Sequence, residues 1–343
     1  MMEIRVCKEC GFILGTRPGG GITDKDGVCM PCINNKKKKK IDFKARQEWL
    51  TQYIKDNRNP NAKWDAVVGI SGGKDSSAIV RRLIENHGMK NPLLINVTDE
   101  FTHSKAGGHN LKNIAEVYNL DTLILRCQPG TFISETKKDF LESLNPLKWI
   151  ESQLYEMPLQ IARKFGINLV FYGENSDFEY GGAENLEIFH PSSDEQTKLI
   201  FLGAIYPYSN WDSYEVASEI GFKDLDAFHE WYRQGSVDSF CQIDSVGYMV
   251  HLWCKFIKFG FQRVSDMACR FVREGKLTRE QAMEYIRERD FQLDPYAKWD
   301  FCRCIGITEE EFDATVDKFA NQELLVKDRN GCWRRKDLYS QLF

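Results

Sequence analysis

A short apolar run, Ala66-Val67-Val68-Gly69-Ile70, leads without a break into Ser71-Gly72-Gly73-Lys74-Asp75-Ser76-Ser77, and this junction limits the fold more than any other part of the chain. The run has the length and β-branched content of a strand buried on both faces. From Ala78 to His87 apolar residues recur at helical spacing, and Gly88 stops the pattern. A strand, a glycine turn and a helix in that order bring backbone N–H groups and a helix N-terminus to one point, which suits a phosphate. Gly72 and Gly73 permit the turn, and Ser71, Ser76 and Ser77 add hydroxyl donors. Neither GxxxxGK[ST] nor GxGxxG is present, which excludes the ordinary mononucleotide and dinucleotide loops.

Similar units follow. Strands are predicted over 93–97, 122–125 and 169–172, with helices over 104–118, 131–143 and 146–165 between them. Alternation of this kind predicts an α/β fold with a parallel sheet covered on both faces, and ligands bound beyond the carboxyl ends of its strands. After Gly182 the pattern turns helical, at 213–220, 225–233, 248–259, 263–273 and 279–289. Thr278-x-x-Gln281 and Thr308-x-x-Glu311 read as capping boxes, and Asp328-Arg329-Asn330-Gly331 as a hairpin turn.

Ahead of the sheet, Cys7-x2-Cys10 and Cys29-x2-Cys32 have the spacing of four thiolates around one Zn²⁺, with Gly19, Gly20 and Gly21 in the intervening loop. Iron or redox-active thiols are the alternatives. A segment this short builds no core of its own, so the metal reads first as structural, and contact with substrate or nucleic acid as the second reading. The run Lys36 to Lys40 is expected to be a solvated linker, because like charges repel. The predicted organisation is a zinc module at 1–35, a linker and lead-in helix at 36–62, an ATP-binding domain at 63–200, and a mostly helical substrate or partner region at 201–343.

Lys and Arg total 46 against 50 Asp and Glu, a net charge of −4, which argues against a broad electrostatic grip on nucleic acid. No transmembrane segment, secretory signal or transit peptide is evident, so a cytoplasmic location is expected, where cysteines serve as ligands or free thiols. The count of 11 is odd, which rules out complete internal pairing.

Ser71 to Ser76 resembles the SGGxDS signature of the PP-loop ATP pyrophosphatases, with their adenine nucleotide alpha hydrolase-like sheet. The resemblance implies ATP cleaved between its α and β phosphates and AMP loaded onto a carbonyl oxygen. Pyrophosphate would sit in the loop, with Ile70, Ser71, Gly72, Gly73, Asp75, Ser76 and Ser77 binding the nucleotide. Asp75 is the natural residue to orient Mg²⁺, and Lys74 to neutralise phosphate charge. Asn96 and Val97 would lie beside adenine, followed by Asp99 and Glu100. The segment Gly173-Glu174-Asn175-Ser176-Asp177-Phe178-Glu179-Tyr180-Gly181-Gly182 should share that face. Gly173 would approach the nucleotide, and Glu174, Asp177 and Glu179 offer carboxylates for Mg²⁺ or for deprotonating ammonia. A polar surface loop is the plainer reading of the same segment.

Lys255-Phe256-Ile257-Lys258-Phe259-Gly260-Phe261, Thr278-Arg279-Glu280-Gln281-Ala282 and Gly306-Ile307-Thr308-Glu309-Glu310-Glu311-Phe312 are similar to the N-acetyl sugar amidotransferases of surface-polysaccharide and lipopolysaccharide biosynthesis, O-antigen included. The four cysteines and the 173–182 segment are similar as well. That resemblance implies an AMP-forming ligase that converts the acetamido group of a nucleotide-activated sugar into an acetamidino group. Arg81, Lys255, Lys258 and Arg263 are candidates to meet the sugar's anionic groups. With no Cys at position 2 and no GxCxG elbow, the chain looks unable to hydrolyse glutamine. The family implies a class I glutaminase partner and an ammonia-channelling, cyclase-like barrel. The rival readings are a tRNA thiolase, for which Cys127, Cys241, Cys302 and Cys304 are the cysteines to weigh, and a non-catalytic zinc scaffold that senses nucleotide. His103 and His109 flank the helix after the second strand and carry little weight.

Overall fold

The computed structural model describes residues 4–16 and 24–339. Gly19 to Gly21 lie outside the described residues. The N-terminal part holds a two-strand hairpin, β1 (Asp24–Lys25) and β2 (Val28–Cys29), then helices α1 (Met30–Lys38) and α2 (Phe43–Asn57). The α/β part runs β3 (Val67–Gly69), α3 (Lys74–Glu85), β4 (Leu93–Thr98), α4 (Lys105–Tyr118), β5 (Thr122–Arg126), α5 (Pro129–Ser143), α6 (Lys148–Lys164), β6 (Leu169–Tyr172), α7 (Ser176–Glu179) and β7 (Lys198–Phe201). The remainder is α8 (Asn210–Ser218), α9 (Tyr248–Phe259), α10 (Arg263–Arg273), α11 (Arg279–Arg289), α12 (Pro295–Ile305), α13 (Glu309–Phe319), the hairpin β8 (Leu325–Lys327) and β9 (Trp333–Arg335), and α14 (Lys336–Tyr339).

The five central strands pair in parallel in the order β5-β4-β3-β6-β7. The strand that feeds the Ser-Gly-Gly turn is therefore the middle one, and the chain reverses its direction of growth beside it. Alternate side chains go to opposite faces. Val68, Leu94 and Phe171 pack under α2, α3 and α4 with Leu50, Leu83 and Ile114. Val67, Leu93, Ile95 and Val170 pack with Leu159 and Ala162 of α6 on the other side. The C-terminal helices have their own aromatic centre, in which Phe140 stacks on Phe312 at 5.1 Å.

Most predicted elements stand within a few residues of their expected limits, and both capping boxes form, at Thr278 with Gln281 and at Thr308 with Glu311. Three expectations are corrected. The helix expected over 225–233 is a single 3₁₀ turn at Leu225–Ala227, because Asp224 caps it and its polypeptide then departs to pack Trp231. Strand β7 was not anticipated, since four residues after a polar loop give too short a period to read. The lysine run is not a linker throughout, because Lys36, Lys37 and Lys38 belong to α1 and Lys38 is buried. The boundary expected after residue 35 thus falls inside α1.

His87 illustrates how α2 is fixed to the sheet. Its ring accepts or donates at both nitrogens, to Thr51 Oγ1 at 2.8 Å and to the Tyr206 hydroxyl at 2.9 Å. Burial lowers its pKa to about 4, so the folded state holds the neutral ring. The stability this contributes is complete above the unfolded value near 6.5 and is lost as pH falls toward 4, about 3 kcal/mol in all. Denaturant midpoints measured between pH 7 and pH 4 are expected to fall accordingly, and His87→Gln to remove most of that slope.

Candidate active site

Beyond the carboxyl ends of β3, β4 and β6 lies a cavity of about 230 Å³. Its floor is Gly69, Ile70, Ser71, Asp75 and Ser76, and its walls are Val97 from β4, Tyr172 at the end of β6 with Gly173 just beyond it, and Tyr155 and Pro158 from α6. The α6 wall follows from one proline. Pro158 has no N–H to give to the carbonyl of Leu154, which would otherwise stay unpaired. The Tyr172 hydroxyl donates to that carbonyl at 2.8 Å and so ties the helix across the strand end.

The turn itself is tightly specified. Gly72 has φ +84°, and a Cβ there would sit 2.5 Å from the Gly107 carbonyl oxygen. Gly73 is the N-cap of α3 and brings no side chain to cap it. The first-turn N–H groups are left for a ligand, and the helix dipole favours an anion there. The hydroxyls of Ser76 and Ser77 donate to the Gly73 carbonyl at 2.9 and 3.3 Å, fixing the turn from below. Asn96 does not line the cavity; its Nδ2 donates to the Ile70 carbonyl at 2.9 Å and holds the strand end in place.

Lys74 and Asp75 form an ion pair of 2.7 Å, with Lys74 Nζ on Asp75 Oδ2. Burial opposes ionisation of both. The ammonium nonetheless holds the Asp75 carboxyl below the usual carboxylate range, and the carboxylate raises Lys74 in return. Asp75 Oδ1 is buried and has no partner at hydrogen-bond geometry, the Ser213 hydroxyl standing near enough only to favour the carboxylate. An ionised, unpartnered oxygen beside a phosphate-type turn fits a hard cation such as Mg²⁺.

The three carboxylates expected after β6 are dispersed. Glu174 Oε2 meets Arg270 Nη1 at 2.8 Å, and Arg270 also acts on Asp75, which joins this end of the loop to the cavity. Asp177 is exposed. Glu179 is turned the other way and pairs with Lys38 at 2.7 Å. Of the cations considered for a sugar's charges, Arg81 pairs with Glu85 and Glu219 on the outer side of α3, and Lys255 with Asp266 at 3.9 Å. Lys258 donates to the Ser143 carbonyl, and Arg263 Nη1 to the Tyr180 hydroxyl at 3.1 Å. His103 lies against Asp99, and His109 against the Gly221 carbonyl.

Cys7, Cys10, Cys29 and Cys32 are all buried, and their sulfurs lie within 4.8 Å of one another. Two of the separations are 3.6 Å, Cys10 to Cys29, and 4.0 Å, Cys7 to Cys32. A tetrahedral ion with bonds of about 2.3 Å needs sulfurs roughly 3.8 Å apart, so the set fits Zn²⁺. The cluster reaches the active site through α1, which begins at its ligands. Asn34 Nδ2 donates to the Phe178 and Ala183 carbonyls, both at 2.8 Å, and Lys38 to Glu179 and the Tyr208 carbonyl. Gly181, at φ +82°, lies so close to Pro31 that a Cβ would stand 2.7 Å from its Cδ. The segment from Ser176 to Ala183 is thereby gripped by the cysteine module. From the other side, Cys269 Sγ and Arg273 on α10 touch Cys10.

Residues 227–339 match the model of the LPS biosynthesis protein WbpG-like C-terminal domain. This region of the chain is WbpG-like. It supplies α10, and with it Arg263 and Arg270 beside the cavity and Cys269 and Arg273 beside the cysteines. No curated protein matches the chain significantly. Among solved structures, the chain is similar to the NH3-dependent NAD synthetase from Campylobacter jejuni, at 14% identity and TM-score 0.37, over 81% of this chain and 95% of that one. A second is NMN synthetase from Francisella tularensis, at 12% identity and TM-score 0.35, over 78% and 94%.

Several contributors were not anticipated from sequence. Arg270, Tyr155 and Tyr172 lie on helices and strands, and Tyr208 in the loop before α8, where an isolated polar or aromatic residue reads as surface or core. The available signal was in the WbpG-like helix α10, where Arg263, Asp266 and Arg270 occupy one helical face at spacings of three and four.

Proposed function

We propose that the chain is an ATP-dependent amidotransferase of lipopolysaccharide biosynthesis, which converts the acetamido group of a nucleotide-activated sugar into an acetamidino group. The observation that carries this reading is the buried, unpartnered Asp75 Oδ1 on a phosphate-type turn, in a chain whose C-terminal region is WbpG-like. The acetamido oxygen attacks the α-phosphate of ATP, the α–β bond breaks, and pyrophosphate leaves. Ammonia then adds to the activated carbon, the C–O bond to AMP breaks, and loss of the ammonia-derived protons leaves C=NH where C=O stood. Mg²⁺, when bound, neutralises charge developing on the phosphates.

The first-turn N–H groups of α3 and the Ser71 hydroxyl hold the pyrophosphate, and Lys74 keeps Asp75 ionised. Ile70, Val97 and Tyr172 supply apolar surface for adenine. Glu174 and Asp177 are the carboxylates open to the ammonia side, while Glu179 holds the loop through Lys38. The four cysteines hold Zn²⁺. The reaction belongs in the cytoplasm, where ATP and nucleotide sugars are made, and among the described residues no helix is long and apolar enough to cross a membrane. Ammonia comes from a class I glutaminase through a cyclase-like barrel, and ammonium salts substitute for both in vitro.

Thiolation of tRNA is less well supported. Burial pushes the Cys241 and Cys304 thiols up to about 12, Cys302 up to about 11, and Cys127 upward as well, so none is poised as a nucleophilic thiolate. The deciding experiment is mass spectrometry after incubation with ATP, Mg²⁺, ammonium and a panel of UDP- and CMP-linked N-acetyl sugars. Replacement of O by NH in one sugar, with equal AMP and pyrophosphate, is the expected result. AMP release on tRNA with no sugar altered would overturn the proposal.

A further inference from the structure

Beside the turn two arginines keep buried N–H groups that no protein acceptor takes. Lys74 is paired with Asp75, Arg270 with Glu174, and Asp266 with Lys255. Arg263 is left with a phenol, the Tyr180 hydroxyl, and among the described residues no carboxylate forms an ion pair with it. Its Nε is buried and makes no hydrogen bond. Arg270, which is 4% exposed, likewise has a buried Nη2 without a partner. A guanidinium has five donors and no way to neutralise itself, so buried N–H groups of this kind call for an oxyanion.

The two arginines are held as a unit. Both stand on the same face of α10, two turns apart. Arg263 donates to the Tyr180 hydroxyl, and Arg270 lies over the Tyr180 ring at 4.8 Å and the Tyr208 ring at 5.3 Å. Stacking fixes the plane of the Arg270 fork, and planar forks bind carboxylate or phosphate through paired hydrogen bonds. Through Glu174 and Asp75 the pair adjoins the cavity wall at Gly173 and its floor.

We propose that Arg263 and Arg270, joined by Tyr180, form an oxyanion-binding site next to the ATP cavity, and that this site takes the carboxylate or phosphate of the acceptor. The inference rests on the amidotransferase reading and deepens it. An anion anchored there fixes one end of the acceptor and leaves its acetamido group to reach the α-phosphate above Asp75.

Calorimetric titration separates the two sources of oxyanion. The probes are UDP-glucuronate, a nucleotide sugar with both groups, and inorganic pyrophosphate, the anion that ATP releases. A non-cleavable ATP analogue is titrated alongside. Arg263→Gln is expected to weaken UDP-glucuronate about tenfold or more, while pyrophosphate and the analogue stay within about twofold of wild type. Arg263→Lys, which keeps charge without the fork, should recover part of the loss. Arg270→Lys, which retains the Glu174 pair, should weaken the same probe. Loss of pyrophosphate affinity in place of UDP-glucuronate affinity would assign the arginines to ATP and overturn the proposal. So would unchanged binding of both probes, or no binding of UDP-glucuronate to wild type. Failure of the wild-type chain to bind the ATP analogue would overturn the amidotransferase reading itself.

Discussion

Asp75→Asn is expected to reduce pyrophosphate release at least about a thousandfold, the effect of removing several kcal/mol of stabilisation from charge developing on phosphate. The substitution keeps the shape of the side chain and removes its negative charge, and with it the hold on a hard cation. It has a second effect that must be separated from the first. Lys74 is 2% exposed and Asp75 is its only ion-pair partner among the described residues, so the single variant leaves a buried ammonium uncompensated. Breaking such a pair costs about 3 kcal/mol or more. The double variant Lys74→Met with Asp75→Asn removes both charges, and is expected to regain most of the melting temperature while staying inactive. Pyrophosphate assays and thermal melts on the three proteins check this. Recovery of activity in the double variant would show that Asp75 serves only to neutralise Lys74.

The second large effect comes from the cysteines. Cys10→Ser, or stripping of the metal by a strong chelator, is expected to dissolve the N-terminal module, which has too little apolar surface to stand alone. The consequence should appear some distance away, at residues 176–183, where Asn34, Lys38 and Pro31 make their contacts. Amide hydrogen exchange in that segment should rise at least about tenfold on metal loss, while β3 and α3 stay protected. Asn34→Ala should reproduce the effect with the metal content unchanged. Exchange in 176–183 that ignores the metal would refute a mechanical link between cysteines and loop.

How far the sequence carries such arguments depends on the range of the interactions. The turn at 71–77 was legible because its own residues carry most of its shape, from Gly72 at positive φ to the serines that bond Gly73, while the supports from Gly107 and Asn96 were not. The five-stranded sheet was legible apart from β7, because buried parallel strands flanked by helices repeat one pattern. The Cys pairs announced their cluster by spacing alone. What resisted reading was the pairing of charges across the chain. Nothing local to Glu179 says that Lys38 will neutralise it, and nothing local to Glu174 points to Arg270. A run of lysines is usually solvated, and only the phase of α1 turns Asn34 and Lys38 inward together while Lys36 stays out.

Those same contacts set an order on synthesis. Asn34 and Lys38 meet partners 141 to 170 residues later in the chain. All four thiols of the cysteine module are in place once residue 32 has emerged from the ribosome. Its gripping surface must then wait, at roughly 5–20 residues per second, for the loop it holds. During those seconds a buried-to-be lysine and asparagine remain in water, where they are fully satisfied and do not aggregate. A hydrophobic surface at the same place would have been exposed to wrong partners for the whole interval. The polar grip between module and loop therefore suits a joint that is half built early and closed late.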